Sequence, residues 1–211
     1  MEKLRPLLGG ALALVSGRTI ADLDYLFGPL HLPTAGLHGF ERRDARNRLH
    51  RVSTPVDLDE IRTALQEFET NYAGVRVEDK TYAIAVHYRQ APTARATVRA
   101  EVRRLIAARP DLQILDGKMV FEIRTTGINK GTAIEAFMSE PPFVGRMPIF
   151  LGDDVTDEDG FAFVNDLGGH TIRVGGAAKT AARFRLPNVT AVIDWLNWLA
   201  EDLQRRGEGA A

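Results

Sequence analysis

Three short stretches carry residue types that do chemistry. "LGDDVTDEDGF", Leu151 to Phe161, packs Asp153, Asp154, Asp157, Glu158 and Asp159 into seven positions, directly after the apolar run Met147 to Leu151. Like charges that close repel, and burial strengthens the repulsion. A divalent cation would relieve it: Mg²⁺ takes hard oxygen ligands, keeps waters, and needs only one or two carboxylates. Helix capping by Thr156 or Asp157 is the plainer alternative, but it accounts for one or two acids, not five. "NKG", Asn129 to Gly131, sets Lys130 at the start of a helix. That placement opposes the helix dipole, and an anion held there would offset the cost. An ordinary surface lysine is the other reading. "LVSGR", Leu14 to Arg18, puts Ser16 just past a short apolar run. Its hydroxyl and neighbouring amides can hold a phosphate oxygen, although serine also makes turns and caps routinely.

These groups need a scaffold. Ala11 to Val15 is apolar throughout, as parallel strands buried on both faces are. Ile20 to Phe27 has helical periodicity, and Pro33 to Leu37 leads into a glycine-punctuated polar loop. From Asp44 the pattern changes. Helices are predicted over Asp57 to Tyr72 and Thr93 to Ala108. Paired strands are predicted over Gly74 to Glu78 with Tyr82 to Arg89, and Leu112 to Leu115 with Met119 to Ile123, the second pair turning at Asp116-Gly117. After "TTGINKG" the first pattern returns: a helix from Lys130 to Met138, a strand from Met147 to Leu151, a helix from Asp157 to Leu167, a strand from His170 to Val174, and a helix from Val189 to Leu203. The fold class is therefore α/β, with a core formed by 1–43 and 126–211 and an inserted α+β domain at 44–125. Hydroxyl, ammonium and acids would then converge at the carboxyl ends of one sheet, where open α/β sheets bind ligands. Together they suit a phosphoryl group, whose charge must be neutralised.

Composition narrows the classes. The 211 residues are 45% hydrophobic and 26% charged, with 27 basic residues against 28 acidic and a net charge of −1. That balance gives no electrostatic basis for binding nucleic acid or an anionic membrane. No apolar run approaches the length of a membrane span. Cysteine is absent, which removes disulfide and thiolate chemistry. A cytoplasmic monomer acting on a small molecule is the expectation.

In order, "LVSGR", "AGLHGFERRD", "GINKG" and "FLGDDVTDEDGF" resemble the trehalose-6-phosphate phosphatases of the haloacid-dehalogenase-like superfamily, from about Ala11 to about Trp198. The resemblance implies a Rossmann-like core with an αββαββ cap and Mg²⁺-dependent hydrolysis of trehalose 6-phosphate. It assigns Ser16 to phosphate binding, Lys130 to the third motif, and Asp153, Asp154 and Asp157 to the metal. It makes Arg18, His38, Glu41, Arg43, Lys118 and Glu122 candidates for binding the substrate, with Lys80 nearby. A Lys118–Glu122 pair on one strand face is the structural alternative for those two.

The superfamily's first motif is Asp-x-Asp at the end of the first, central strand. Its first aspartate is the nucleophile and its second the acid/base. Residues 1–15 contain no aspartate. Asp22 and Asp24 form "DLD", but they follow Ser16 in a predicted helix and are not taken as that pair. The expectations are a core without its first strand, low solubility, and no turnover by residues 1–211. Two other activities stay open: hydrolysis of a different sugar phosphate, and a non-catalytic module that binds one.

Overall fold

The computed structural model describes residues 1–28, 30–52, 56–80, 82–176 and 179–208. The chain divides into two compact units, Met1–Arg51 with Ile128–Ala211, and Val52–Gly127.

The first unit opens with α1 (Leu4–Leu7) and a short strand, β1 (Leu14–Val15). Helix α2 (Ile20–Phe27) begins where the Thr19 hydroxyl accepts the Asp22 amide, a normal N-cap. β2 (Thr34–Gly36) pairs parallel with β1. β3 (Glu41–Arg43) and β4 (Leu49–Arg51) then extend that sheet antiparallel. This hairpin moves the boundary between the units from the predicted residue 43 to Arg51. Charged side chains at Glu41, Arg42, Arg43, Arg48 and Arg51 conceal it, because no apolar alternation marks its strands.

The second unit follows its predicted order. Helix α3 (Asp59–Asn71), strands β5 (Arg76–Asp79) and β6 (Ala83–His87), helix α4 (Arg95–Ile106) and strands β7 (Leu112–Gly117) and β8 (Val120–Thr125) form an αββαββ unit. The sheet order is β5-β6-β8-β7, antiparallel throughout. Asp116 and Gly117 prolong β7, and the turn falls two residues later, at Lys118-Met119. Met119 takes the left-handed conformation there, with φ of 64°.

Back in the first unit lie α5 (Lys130–Met138), β9 (Ile149–Gly152), α6 (Glu158–Asp166), β10 (His170–Val174), β11 (Phe184–Leu186) and α7 (Val189–Glu208). β9, β10 and β11 pair in parallel. The unit thus has two sheets, β1-β2-β3-β4 and β11-β10-β9, with β1 and β9 each at a free end. Among the described residues no helix is long and apolar enough to cross a membrane.

Candidate active site

The amino end of α5 is built by a capping box. Asn129 Oδ1 accepts the Thr132 amide at 3.0 Å, and Thr132 Oγ1 accepts the Asn129 amide at 3.1 Å. Lys130 follows at the first helical position and is buried, 7% exposed. Its Nζ donates to Asp157 Oδ1 at 2.6 Å, and Asp157 is 3% exposed. The anion that the lysine's position calls for is therefore a side chain of this same protein. A buried ion pair of this kind persists only when its other lone pairs are satisfied. Asp157 Oδ2 accepts the amides of Asp153 and Asp154 at 2.9 and 2.8 Å. Gly152 leaves room for this: a Cβ at that position would lie 2.3 Å from Asp157 Cγ.

The acidic crowd separates into distinct partners. Asp154 caps the turn below it by accepting the Val155 amide at 2.7 Å. Glu158 accepts from Thr180 Oγ1 at 2.8 Å and from the Ala181 amide at 2.7 Å, with Arg173 at 3.5 Å. Asp153 is exposed at the carboxyl end of β9. The three acids assigned to a metal do not close into a cluster. Among the described residues no group of three His, Asp or Glu side chains is arranged around one ion. Asp157 has spent both oxygens on Lys130 and the loop amides, which is why it faces the lysine.

Ser16 stands at the end of β1, and its hydroxyl accepts the Arg18 amide at 3.1 Å. The Ser16 carbonyl accepts the His38 amide at 2.9 Å. His38 lies in the left-handed region, φ 60°, and folds its ring over Gly17, whose Cβ position is 2.6 Å from His38 Nε2. One residue on, the Cβ position of Gly39 is 3.2 Å from the Asn129 carbonyl. Thus the end of β1, the His38 turn, the start of α5 and the Asp153 loop neighbour one another in space, and bring Ser16, Arg18, His38, Lys130 and the acids to one end of the unit. Arg18 is exposed there.

Two expected substrate readers are engaged elsewhere. Glu41 Oε1 accepts the Ile20 amide at 2.6 Å, so it caps α2. Arg43 is buried, donates to both oxygens of Asp24 at 2.7 Å, and also donates to the Leu32 carbonyl. The Arg43 bond holds the Asp24 carboxyl below the usual carboxylate range, against the effect of burial. Asp24 is accordingly the partner that holds Arg43 in the core. In the second unit Glu122 pairs with Lys80 at 2.9 Å, and Lys118 is exposed in its turn. The Lys118–Glu122 alternative is replaced by a pair between Lys80, just past β5, and Glu122 of β8. Sequence reasoning missed the Lys130–Asp157 pair, although a lysine set against a helix dipole beside five acids was its signal.

A family model described as "Trehalose-phosphatase" matches residues 8–189. The chain belongs to the trehalose-phosphatase family. The "Trehalose-6-phosphate phosphatase" of Escherichia coli (strain K12) is 44% identical over 200 residues, covering 94% of this chain and 75% of that protein. A "Probable trehalose-phosphate phosphatase" of Sinorhizobium fredii is 47% identical over 176 residues, covering 83% of this chain and 66% of that protein. The chain therefore spans about two thirds to three quarters of these relatives. Among solved structures, the Aspergillus fumigatus trehalose-6-phosphate phosphatase superposes with a TM-score of 0.71 at 28% identity, covering 95% of this chain and 82% of that one. A haloacid dehalogenase-like hydrolase from B. subtilis, at 15% identity and a TM-score of 0.57, shares the fold. The α/β core with an α+β cap is that of haloacid-dehalogenase-like phosphatases.

Proposed function

We propose that this chain handles the phosphoryl group of trehalose 6-phosphate, for hydrolysis to trehalose and inorganic phosphate. The observation that carries this reading is the buried Lys130–Asp157 pair beside the ends of β1 and β9, where Ser16 and Asp153 stand. In the net reaction a water oxygen bonds to phosphorus, the phosphorus–sugar oxygen bond breaks, and the sugar oxygen takes a proton. Ser16 Oγ–H and the amide after it donate to the phosphoryl oxygens, and Lys130 supplies positive charge that Asp157 holds in place. Arg18 extends that charge outward. His38 closes the turn over Gly17 and orients the Ser16 loop.

The donor set suits Mg²⁺. Asp153 offers an exposed hard carboxylate, and a water-rich ion needs little more from the protein. Asp153 would hold the ion with Asp154 beside it, while Asp157 positions the loop rather than binding directly. When bound, the ion neutralises charge on the phosphoryl oxygens.

A second reading has its own support. The Asp24 carboxylate is committed to Arg43, so binding of the phosphate without turnover is the alternative. Calorimetry and phosphate release on the same protein separate binding from turnover. With Mg²⁺, trehalose 6-phosphate should bind, and Ser16→Ala should weaken it about tenfold, the loss of one bond to a charged group. Unchanged binding by Ser16→Ala would remove Ser16 from the site, and equal binding of glucose 6-phosphate would remove trehalose specificity. Turnover well above background would support hydrolysis, and binding without turnover would support the second reading.

A further inference from the structure

The carboxyl ends of β9 and β10 lie side by side, with Arg173 of β10 in register with Gly152 of β9. Gly152 lets Asp157 approach, and the register puts the Arg173 side chain on that same face. Arg173 is 8% exposed. A buried guanidinium is costly unless it is paired and hydrogen-bonded. Its Nη1 donates to the Asp154 carbonyl at 2.9 Å and lies 3.5 Å from Glu158 Oε1. Glu158 is itself fixed, because Thr180 Oγ1 and the Ala181 amide donate to its two oxygens. One carboxylate at 3.5 Å offsets only part of the cost of burial, and Arg173 Nε has no hydrogen-bond partner among the described residues. As packing alone, a methionine would fill this place with less loss.

What the arginine reaches gives it a task. Asp153 is exposed at the carboxyl end of β9, so the backbone around it decides where its carboxylate points. That backbone is held at two places. Asp157 Oδ2 accepts the amides of Asp153 and Asp154, and Arg173 donates to the Asp154 carbonyl. The same carbonyl accepts the Asp157 amide at 3.1 Å. The peptide groups on both sides of the Asp154 Cα are thus fixed, one by Asp157 and the other with the help of β10.

We propose that Arg173 is a positioning residue for the cation, bracing the Asp153-Asp154 turn from β10 while Glu158 balances its charge. The inference rests on the reading of Asp153 and Asp154 as the residues that hold Mg²⁺. Two effects of Arg173 oppose each other. Its positive charge repels the ion, and its hydrogen bond steadies the carboxylates that bind the ion. Glu158 lies against the guanidinium and offsets much of the repulsion, which leaves the bracing to dominate. Groups that hold a metal's ligands in place typically account for about 10- to 100-fold in affinity.

The test is calorimetric titration of the full chain with Mg²⁺ alone, beside amide hydrogen exchange at Asp153 and Asp154 without the ion. Arg173→Lys keeps the charge but loses the planar fork that spans the carbonyl and Glu158. It should bind Mg²⁺ about tenfold more weakly than the parent, and both amides should exchange faster. Measured well below the melting temperature, affinity reports the folded chain only, so a loss of stability alone would leave it unchanged. Arg173→Met removes the charge as well and should also bind more weakly. Should that variant not fold, Arg173→Lys decides alone. Tighter binding by Arg173→Met would mean that repulsion outweighs bracing and would overturn the proposal. Parent-like affinity or parent-like exchange in Arg173→Lys would overturn it too, where Asp153→Asn abolishes binding. Mg²⁺ binding that survives Asp153→Asn would instead defeat the metal reading, and with it the task assigned to Arg173.

Discussion

In residues 52–127 the sheet β5-β6-β8-β7 has one face covered by α3 and α4. Leu65, Ile84, Val86, Val98, Val102 and Ile123 retain no exposure. In the other unit the strands stand in two sheets, the buried cluster around Ala35 and Phe137 is small, and Met147, Ile149 and Phe184 remain 64%, 46% and 53% exposed. Length does not explain the contrast, since the second unit is the shorter. What differs is how the strands find partners. The cap pairs neighbours through turns of a few residues, so each hairpin closes its own ladder. The core relies on parallel pairings between distant segments, and among the described residues β1 and β9 each pair on one side only.

Truncation inside each unit gives the largest expected effect. Phe121 is fully buried and stacks on Tyr88 at 5.3 Å between centroids. Phe121→Ala should cost roughly 3–5 kcal/mol by urea unfolding of the cap. Phe143, also buried, borders a cavity in the core, so Phe143→Ala enlarges a space already present and should cost less than about 2 kcal/mol. Equal losses would erase the distinction between a closed and an open core.

The same contrast governs what could be read in the sequence. Ile84, Val86 and Tyr88, with Phe121 and Ile123, alternate cleanly, and the αββαββ order follows from them. Helices α2, α5 and strand β10 were legible end to end because periodicity and caps agree there. Strands β3, β4 and β11 were not, being three residues each and partly charged, below the length at which a period declares itself. At the site, residue types revealed Ser16, Lys130 and the acids. They could not reveal that Asp157 would turn to Lys130, or that Arg43 and Glu41 would brace the core, since both depend on side chains distant in sequence.

A smaller effect is expected at the ion pair that ties the core's site together. Asp157→Asn keeps the shape but leaves Lys130 buried without a counter-charge, and should cost roughly 3 kcal/mol. Lys130→Met combined with Asp157→Leu should recover much of that stability while abolishing phosphate binding. A double variant as unstable as Asp157→Asn alone would mean that the damage comes from the loop amides rather than the unpaired ammonium.

Arg43 separates bracing from substrate reading. Arg43→Lys keeps the charge but loses the fork that grips both oxygens of Asp24, and should destabilise the core by about 2 kcal/mol or less. Binding of trehalose 6-phosphate by the folded fraction should be unchanged. A variant of normal stability with weakened binding would return Arg43 to the substrate.

The smallest effect is a pH dependence confined to the core hairpin. Asp44 is 3% exposed. Its carboxylate accepts the amides of Arg46 and Arg48 at 2.9 and 2.8 Å, Arg48 Nε at 2.7 Å, and meets His50 Nε2 at 3.0 Å. Burial pushes its carboxyl up, but the bonds from His50, Arg48 and the two amides outweigh burial and hold it well below the ordinary value of 3.8. A carboxylate whose folded value is depressed adds stability above its unfolded value, and that stability is lost as pH falls through the folded one. The core should therefore hold a constant melting temperature from neutral pH down to about 4, then weaken on further acidification, with Asp24 contributing in the same direction. Asp44→Asn should lower stability at pH 7 by about 1 kcal/mol, because the side chains of Arg48 and His50 are 60% and 45% exposed and their attraction is screened. It should also flatten the acid limb of the core's melting curve without altering that of the cap. An acid limb as steep in Asp44→Asn as in the parent would move the titrating group out of this hairpin.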